Sequence, residues 1–201
     1  MEARTPRSEL TRTAIVGAAI DLAAAEGLEA ITLQVVADRV GLSKSGVFSR
    51  VGSREALQMA VIEEYGRRFL ADVFVPAMQL PKGLPRLDDI VQRWLRRVRD
   101  VEAQGACILA AGAFELDDRE GPLRDFLHGE VTRWRAALRR TVLQAIEAGH
   151  LKGDTDADQL VGEISSLVIG AMHDTRFLRD ARACDRALVT WQRLLSTYRT
   201  P

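Results

Sequence analysis

The chain has 201 residues, with 28 Lys plus Arg against 28 Asp plus Glu and 47% hydrophobic residues. That length allows one large or two small domains with a proper core, and zero net charge means that any affinity for nucleic acid must come from a local patch. No apolar run precedes a cleavage site and no stretch reaches the roughly 18 continuous apolar residues of a bilayer span, so the chain reads as soluble and cytoplasmic, with no membrane partner.

Residues 1–7 (MEARTPR) carry no apolar pattern and read as an arm. Arg4 and Arg7 can reach phosphates or a minor groove, or the segment is simply a frayed terminus. Ser8 can cap a first helix with Leu10, Ile15, Ala18, Ala19 and Leu22 inward, ended by Gly27. The next stretch, Thr32 to Arg54, organises the rest. Its Leu33, Val36, Ala37 and Val40 stand at i, i+3, i+4 and i+7, one face of a helix about two turns long. Thr32 can cap its start and Gly41 can supply the left-handed residue that ends it. After Leu42, Ser43 can cap a second short helix whose expected buried side is Val47, Phe48 and Val51. Two short helices separated by so tight a turn must cross steeply, the pattern of a helix-turn-helix.

From Arg39 to Arg54 there are four basic residues (Arg39, Lys44, Arg50, Arg54) and no acidic one. If Val47, Phe48 and Val51 face inward, Lys44, Ser45, Ser49 and Arg50 face outward, toward a major groove. The first 55 residues nevertheless balance, seven cations against seven carboxylates. Weak non-specific binding and a modest salt slope are expected, because few phosphates per subunit can be neutralised.

From Leu10 to Tyr65 the sequence resembles the tetracycline-repressor (TetR) family of bacterial regulators. The resemblance rests on Glu26-Gly27-Leu28, Ile31-Thr32, the block VADRVGLSKSGVFSRV, and Gly52-Ser53-Arg54-Glu55-Ala56-Leu57. It implies that Thr32, Gln34, Lys44, Ser45, Gly46, Phe48, Ser49, Arg50 and Arg54 occupy DNA-facing positions. The chain departs from the family in Phe48, where Tyr is usual, and in Val51, where Phe is common.

Ser53 can cap a fourth helix with Leu57, Ala60, Val61 and Tyr65 inward, continuing through Phe69 and Val73 until Pro76. A boundary is expected in Pro76 to Pro85, with three prolines, a glycine and no helical pattern. The organisation is then 1–54 arm and helix-turn-helix, 55–80 connecting helix and linker, and 81–201 a C-terminal domain. Ile90, Val91, Trp94, Leu95 and Val98 form one stripe; Leu127, Val131, Trp134, Leu138, Val142 and Ala145 form another, from Pro122 to Gly149. Gly105 to Asp125 resembles the C-terminal domain of a subset of TetR regulators. The last two helices, about Ala157 to Asp180 and from Ala187 to Tyr198, have more apolar surface than one short bundle buries. On the first, Gly162, Ser166 and Gly170 recur every four residues and form a small-residue groove. The resemblance implies that these helices, with Leu167, Trp191 and Leu195, pair with a second copy as a four-helix bundle; close packing within one chain is the alternative. The fold class is all-α, about nine helices, with no β-type alternation.

Glu147-x-x-His150 and His128-Gly129-Glu130 match fragments of metal-site motifs whose remaining ligands are absent, so no metal or cofactor is expected. No phosphate loop or nucleophile elbow is present, which argues against an enzyme. Cys107 and Cys184 read as free thiols, with a redox-sensing pair as the alternative. Arg93, Arg96, Arg97 and Arg99 read as a solvated face pairing with Asp100 and Glu102, or as a site for an acidic effector. The reading is a homodimeric transcriptional regulator, a repressor binding an inverted-repeat operator and answering to a small apolar or aromatic effector. Phe69, Met78, Trp94, Phe114, Trp134, Met172 and His173 are candidate lining residues, each also explicable as core or surface. A helical enzyme or carrier without DNA binding, or a ligand-independent activator, are the alternatives.

Overall fold

A computed structural model describes residues 6–100 and 107–200, and among them every regular element is helical. The helices are α1 (Pro6–Glu26), α2 (Leu33–Val40), α3 (Lys44–Val51), α4 (Arg54–Phe69), α5 (Leu84–Arg99), α6 (Ile108–Glu115), α7 (Pro122–Glu147), α8 (Ala157–Arg176) and α9 (Ala183–Tyr198). A 3-10 turn, Leu28–Ala30, joins α1 to α2. The sole extended pairing among the described residues is an isolated bridge between Leu151 and Arg199. The expected arm residue Arg4, the Arg7 side chain and the expected ion-pair partner Glu102 lie outside the described residues.

The chain divides into two compact units. The first takes the chain up to Arg68 and the segment ending at Val131; the second takes Phe69 and α5, and everything from Thr132.

In the first unit α1 begins at Pro6 rather than at Ser8, since a first-turn proline loses no hydrogen bond. Its C-terminal half forms the core side, with Ile15, Val16, Ala19, Ile20, Leu22 and Ala23 buried. Leu10, expected inward, is 73% exposed, because packing does not extend to the first turns. Ser53 caps α4 as expected, its Oγ accepting the Ala56 N–H at 3.0 Å. Leu57, Ala60, Val61 and Tyr65 are buried along α4.

In the second unit the helical path does not stop at Pro76. A π-helical segment, Leu70–Phe74, follows Phe69, and one further turn, Val75–Ala77, carries the proline near its start. Proline offers no N–H to the carbonyl one turn back, and the wider π turn accommodates that missing bond. The α5 stripe is buried as its spacing predicts: Leu87, Ile90, Val91, Trp94, Leu95 and Val98. Trp191 of α9 is fully buried and donates its indole N–H to Asp88 of α5 at 2.7 Å. His150 accepts the Leu84 N–H at 3.2 Å through Nδ1, so the histidine of the apparent metal motif caps α5. Tyr198 donates to Glu163 at 2.8 Å; burial, then that hydrogen bond, pushes the phenol up to about 12. Cys107 is half-buried and Cys184 buried, both free thiols.

The arginine cluster of α5 finds carboxylates other than those expected. Arg93 and Arg96 pair with Asp89, Arg97 with Asp72 and Arg99 with Asp185. Arg97 is not part of a solvated face: its side chain is 11% exposed and lies over the Phe69 ring. The guanidinium is held by a carboxylate and an aromatic face together.

On α4, Arg67 grips Glu64 with two hydrogen bonds of 2.7 Å and Arg68 adds a third at 2.8 Å. Led by the Arg67 bonds, these hold the Glu64 carboxyl down at about 2 against its ordinary 4.5. A depressed folded-state value means stability present above the ordinary value and lost as pH falls toward the folded one. Glu64→Gln therefore lowers the urea midpoint at pH 7, and its difference from wild type shrinks as pH falls from 4.5 to about 2. Denaturation curves at three pH values check this; a pH-independent difference would contradict it.

Candidate nucleic-acid interface

The helix-turn-helix is set by its caps. Thr32 Oγ1 accepts the Val35 N–H at 3.1 Å, and Gly41 closes α2 in the left-handed region at φ 66°. Ser43 Oγ then accepts the Gly46 N–H at 3.0 Å and opens α3. Val36, Ala37 and Val47 are completely buried, pinning both helices to α1.

What remains outside α3 is polar except at one residue. Lys44, Ser45 and Ser49 are exposed, Gly46 and Arg50 are half-buried, and Gln34 of α2 is exposed with its amide on Asp38 at 2.8 Å. Phe48 is 56% exposed, not part of the buried side. On an eight-residue helix Val47 and Val51 share one face, and Phe48, about 100° away, projects past the narrow contact with the neighbouring helices. Arg50 turns back along its own helix: Nη1 donates to the Gly46 carbonyl at 2.7 Å and to Ser49 Oγ at 3.3 Å, and its Nε is buried without a hydrogen-bond partner. Gly46 has a reason inside the chain, since a Cβ there would stand 3.1 Å from Ser43 Oγ.

Two of the four cations of the basic window are engaged. Arg39 pairs with Glu26 at 3.1 Å. Arg54 donates to the Ile31 and Glu29 carbonyls at 2.7 Å each and reaches the Glu29 carboxylate at 3.4 Å. Lys44 and Arg50 thus carry the charge that α3 itself displays.

A family profile described as "Tetracyclin repressor-like, C-terminal domain" matches residues 83–191, more than half of the chain. The chain belongs to the TetR family. A relative in Bacillus subtilis (strain 168), the uncharacterized HTH-type transcriptional regulator YezE, is 23% identical over 154 residues, covering 76% of this chain and 79% of that one. A TetR-family transcriptional regulator from Cytophaga hutchinsonii superposes with a TM-score of 0.83 at 19% identity, covering 99% of this chain and all of that one. The regulator AibR, solved in complex with isovaleryl coenzyme A and operator DNA, superposes with a TM-score of 0.70 at 18% identity, covering 89% of this chain and 96% of that one.

Of the lining residues named from the sequence of this TetR-family chain, three come together in the second unit. Phe69, Trp94 and Trp134 are buried and meet edge to face, with centroids 5.7 Å (Phe69–Trp94), 4.8 Å (Phe69–Trp134) and 5.2 Å (Trp94–Trp134) apart. Both indole Nε1 atoms are buried without a hydrogen-bond partner. Met78, Phe114, Met172 and His173 take no part in this cluster. Met78 and Met172 are half-buried, Phe114 is 66% exposed on α6, and His173 is exposed beside Asp174 at 3.0 Å. Two members were missed from the sequence: Phe74, 6.2 Å from Trp134, and Arg97 over Phe69. Spacing of 3.6 places Phe74 well off the Phe69 face, and only the π segment between them turns both rings toward Trp134.

Of the residues named for pairing between copies, Gly162 and Leu167 are half-buried and Ser166 and Gly170 exposed on α8. A Cβ at Gly162 or Gly170 would meet nothing within 4 Å. Trp191 and Leu195 are a correction: at 0% and 1% exposure they belong to the core of the second unit and have no area to offer a partner. Ile169 and Val189 are the apolar side chains left exposed on α8 and α9. Among the described residues no group of His, Cys, Asp and Glu could hold a metal ion, and no helix is long and apolar enough to cross a membrane.

Removing the α3 cap tests the local account. Ser43→Ala costs about 1 kcal/mol of stability, whereas Ser43→Asp, which keeps an acceptor for the Gly46 amide, costs much less. Urea unfolding of the two variants measures the difference, and equal losses would show that the cap is not what holds the start of α3.

Proposed function

We propose that this TetR-family chain is a DNA-binding transcriptional repressor that acts as a homodimer on an inverted-repeat operator and releases it on binding a small effector in the cytoplasm. The observation that carries the reading is the solvent face of α3, where Lys44, Ser45, Phe48 and Ser49 are exposed on a helix anchored from beneath by Val47. Lys44 and Arg50 supply base or phosphate contacts, with Arg50 leaving the Gly46 carbonyl as it does so. Ser45 and Ser49 supply adaptable hydrogen bonds, Thr32 and Gln34 meet the backbone, and Phe48 offers an apolar contact such as a thymine methyl. Arg54 acts from behind, through the carbonyls it holds.

Pairing of copies is supported by the small-residue stripe of Gly162, Ser166 and Gly170, where a Cβ on either glycine would meet nothing within 4 Å, and by the exposed apolar side chains Ile169 and Val189 on the last two helices. The expected division is 1–54 for DNA, 55–80 for connection and 81–201 for effector and partner; the compact units differ from it in that the segment ending at Val131 goes with the part assigned to DNA. The effector reading is supported by the aromatic cluster and its two unpartnered indole N–H groups, since buried donors ordinarily find an acceptor. The effector is accordingly an apolar or aromatic molecule that carries at least one acceptor oxygen. AibR, which was solved with an acyl thioester and operator DNA together, offers a parallel.

At low salt the wild-type protein is retained on a random-sequence duplex column, and Lys44→Ala combined with Arg50→Ala elutes early, with a salt slope reduced by about 1 for each phosphate no longer neutralised. Identical elution of the two proteins would favour a helical enzyme or carrier that has kept the motif without its use.

A further inference from the structure

The turn Leu28–Ala30, between α1 and the helix-turn-helix, is held by side chains from other helices. Its first two amides, which lack partners at the start of any helical turn, are both taken by one carboxylate: Glu115 Oε1 accepts the Leu28 N–H and Oε2 the Glu29 N–H, each at 3.2 Å. Two of its carbonyls accept from side chains, Leu28 from Gln58 at 2.9 Å and Glu29 from Arg54, which also holds the carbonyl of Ile31 just beyond the turn. The Glu29 carboxylate lies between Arg54 and Arg119, the latter at 3.1 Å. Burial pushes that carboxyl up, but the Arg119 hydrogen bond and the two guanidinium charges together outweigh it and hold the group below its usual range.

Two further features mark the joint as closely fitted. A Cβ at Gly112 of α6 would stand 2.6 Å from Leu28 Cδ1, so the leucine lies directly on the α6 backbone. A Cβ at Gly27, which sits at φ 92°, would stand 2.7 Å from Glu115 Oε1. Glu115 is the last residue of α6, and the negative end of a helix disfavours a carboxylate. Such a local mismatch is expected where a side chain serves something outside its own helix.

We infer that Glu115 is a positioning residue for operator recognition. Its carboxylate, 86 residues from Glu29 in sequence, fixes the turn from which α2 and α3 are hung, and so fixes the attitude of α3 in the groove. The inference rests on the DNA-binding reading above. Specific binding depends on that attitude, because base-edge contacts are directional, whereas non-specific binding depends mainly on charge displayed toward the phosphates, and Glu115 faces the turn instead.

Glu115→Gln keeps the size of the side chain but presents an N–H2 to one of the two amides. The variant and wild type are compared by amide exchange at Leu28 and Glu29, and by affinity for two duplexes, the operator recovered by selection with wild type and a random sequence of equal length. Both amides are expected to exchange faster, and operator affinity to fall by at least about fivefold with random-duplex affinity little changed. A merely structural loss would lower both affinities together and would overturn the inference, as would unchanged operator affinity with the amides unprotected. Should Glu115→Gln not fold, Gly112→Ala, which obliges the Leu28 side chain to shift on α6 while leaving the carboxylate in place, is expected to give the same operator-specific loss, and wild-type discrimination by that variant counts against the inference. Absence of duplex binding by wild type itself would instead remove the DNA-binding reading and this inference with it.

Discussion

The exposed face of α3 depends on a turn of three residues, Gly41, Leu42 and the capping Ser43. Gly41 in the left-handed region and Leu42 leave no slack between α2 and α3, so once Val36 and Ala37 are buried against α1, Val47 can be buried only with α3 steeply crossed. Lys44, Ser45 and Ser49 are then outward by default rather than by any attraction of their own, while Arg50 lies back along the helix. Fixing the face this way needs no charge on the rest of the chain. That is consistent with a protein whose cations and carboxylates cancel at 28 each.

Charge is distributed with the same economy. Of the four cations in the acid-free window, Arg39 and Arg54 are engaged by Glu26 and by the Leu28–Ala30 turn. The local field therefore comes chiefly from Lys44, with Arg50 held in reserve on the Gly46 carbonyl. For the proposed DNA-binding role, a weak field limits unspecific retention and leaves discrimination to directional contacts. The arginines of α5 do different work again. Arg97, half-buried over Phe69 and paired with Asp72, is packing material as much as charge.

In the second unit the decisive backbone event is the π segment before Pro76. It changes the helical period locally, so that Phe69 and Phe74, five residues apart, both meet Trp134. Two indole donors are left without acceptors in the middle of this apolar cluster. Buried polar atoms ordinarily find a partner, and these two donors are what the proposed effector role rests on.

The sequence by itself determined whatever depends on neighbours a few residues away. The caps at Thr32, Ser43 and Ser53, the left-handed stops at Gly41 and Gly149, the α5 stripe and the all-helical class with its terminal helix-turn-helix were all legible, because hydroxyl reach, backbone φ and helical period are local properties. Tertiary structure decided the rest. Phe48 looked like core until the narrow contact under α3 left it outside; Trp191 looked like interface until Asp88 claimed its indole. Phe74 escaped because the period changes beneath it, and Glu115 because its partners, Leu28 and Glu29, lie 87 and 86 residues away. No pattern along the chain encodes which distant carboxylate meets which amide: that is settled only when α6 packs on Leu28 and space runs out at Gly112.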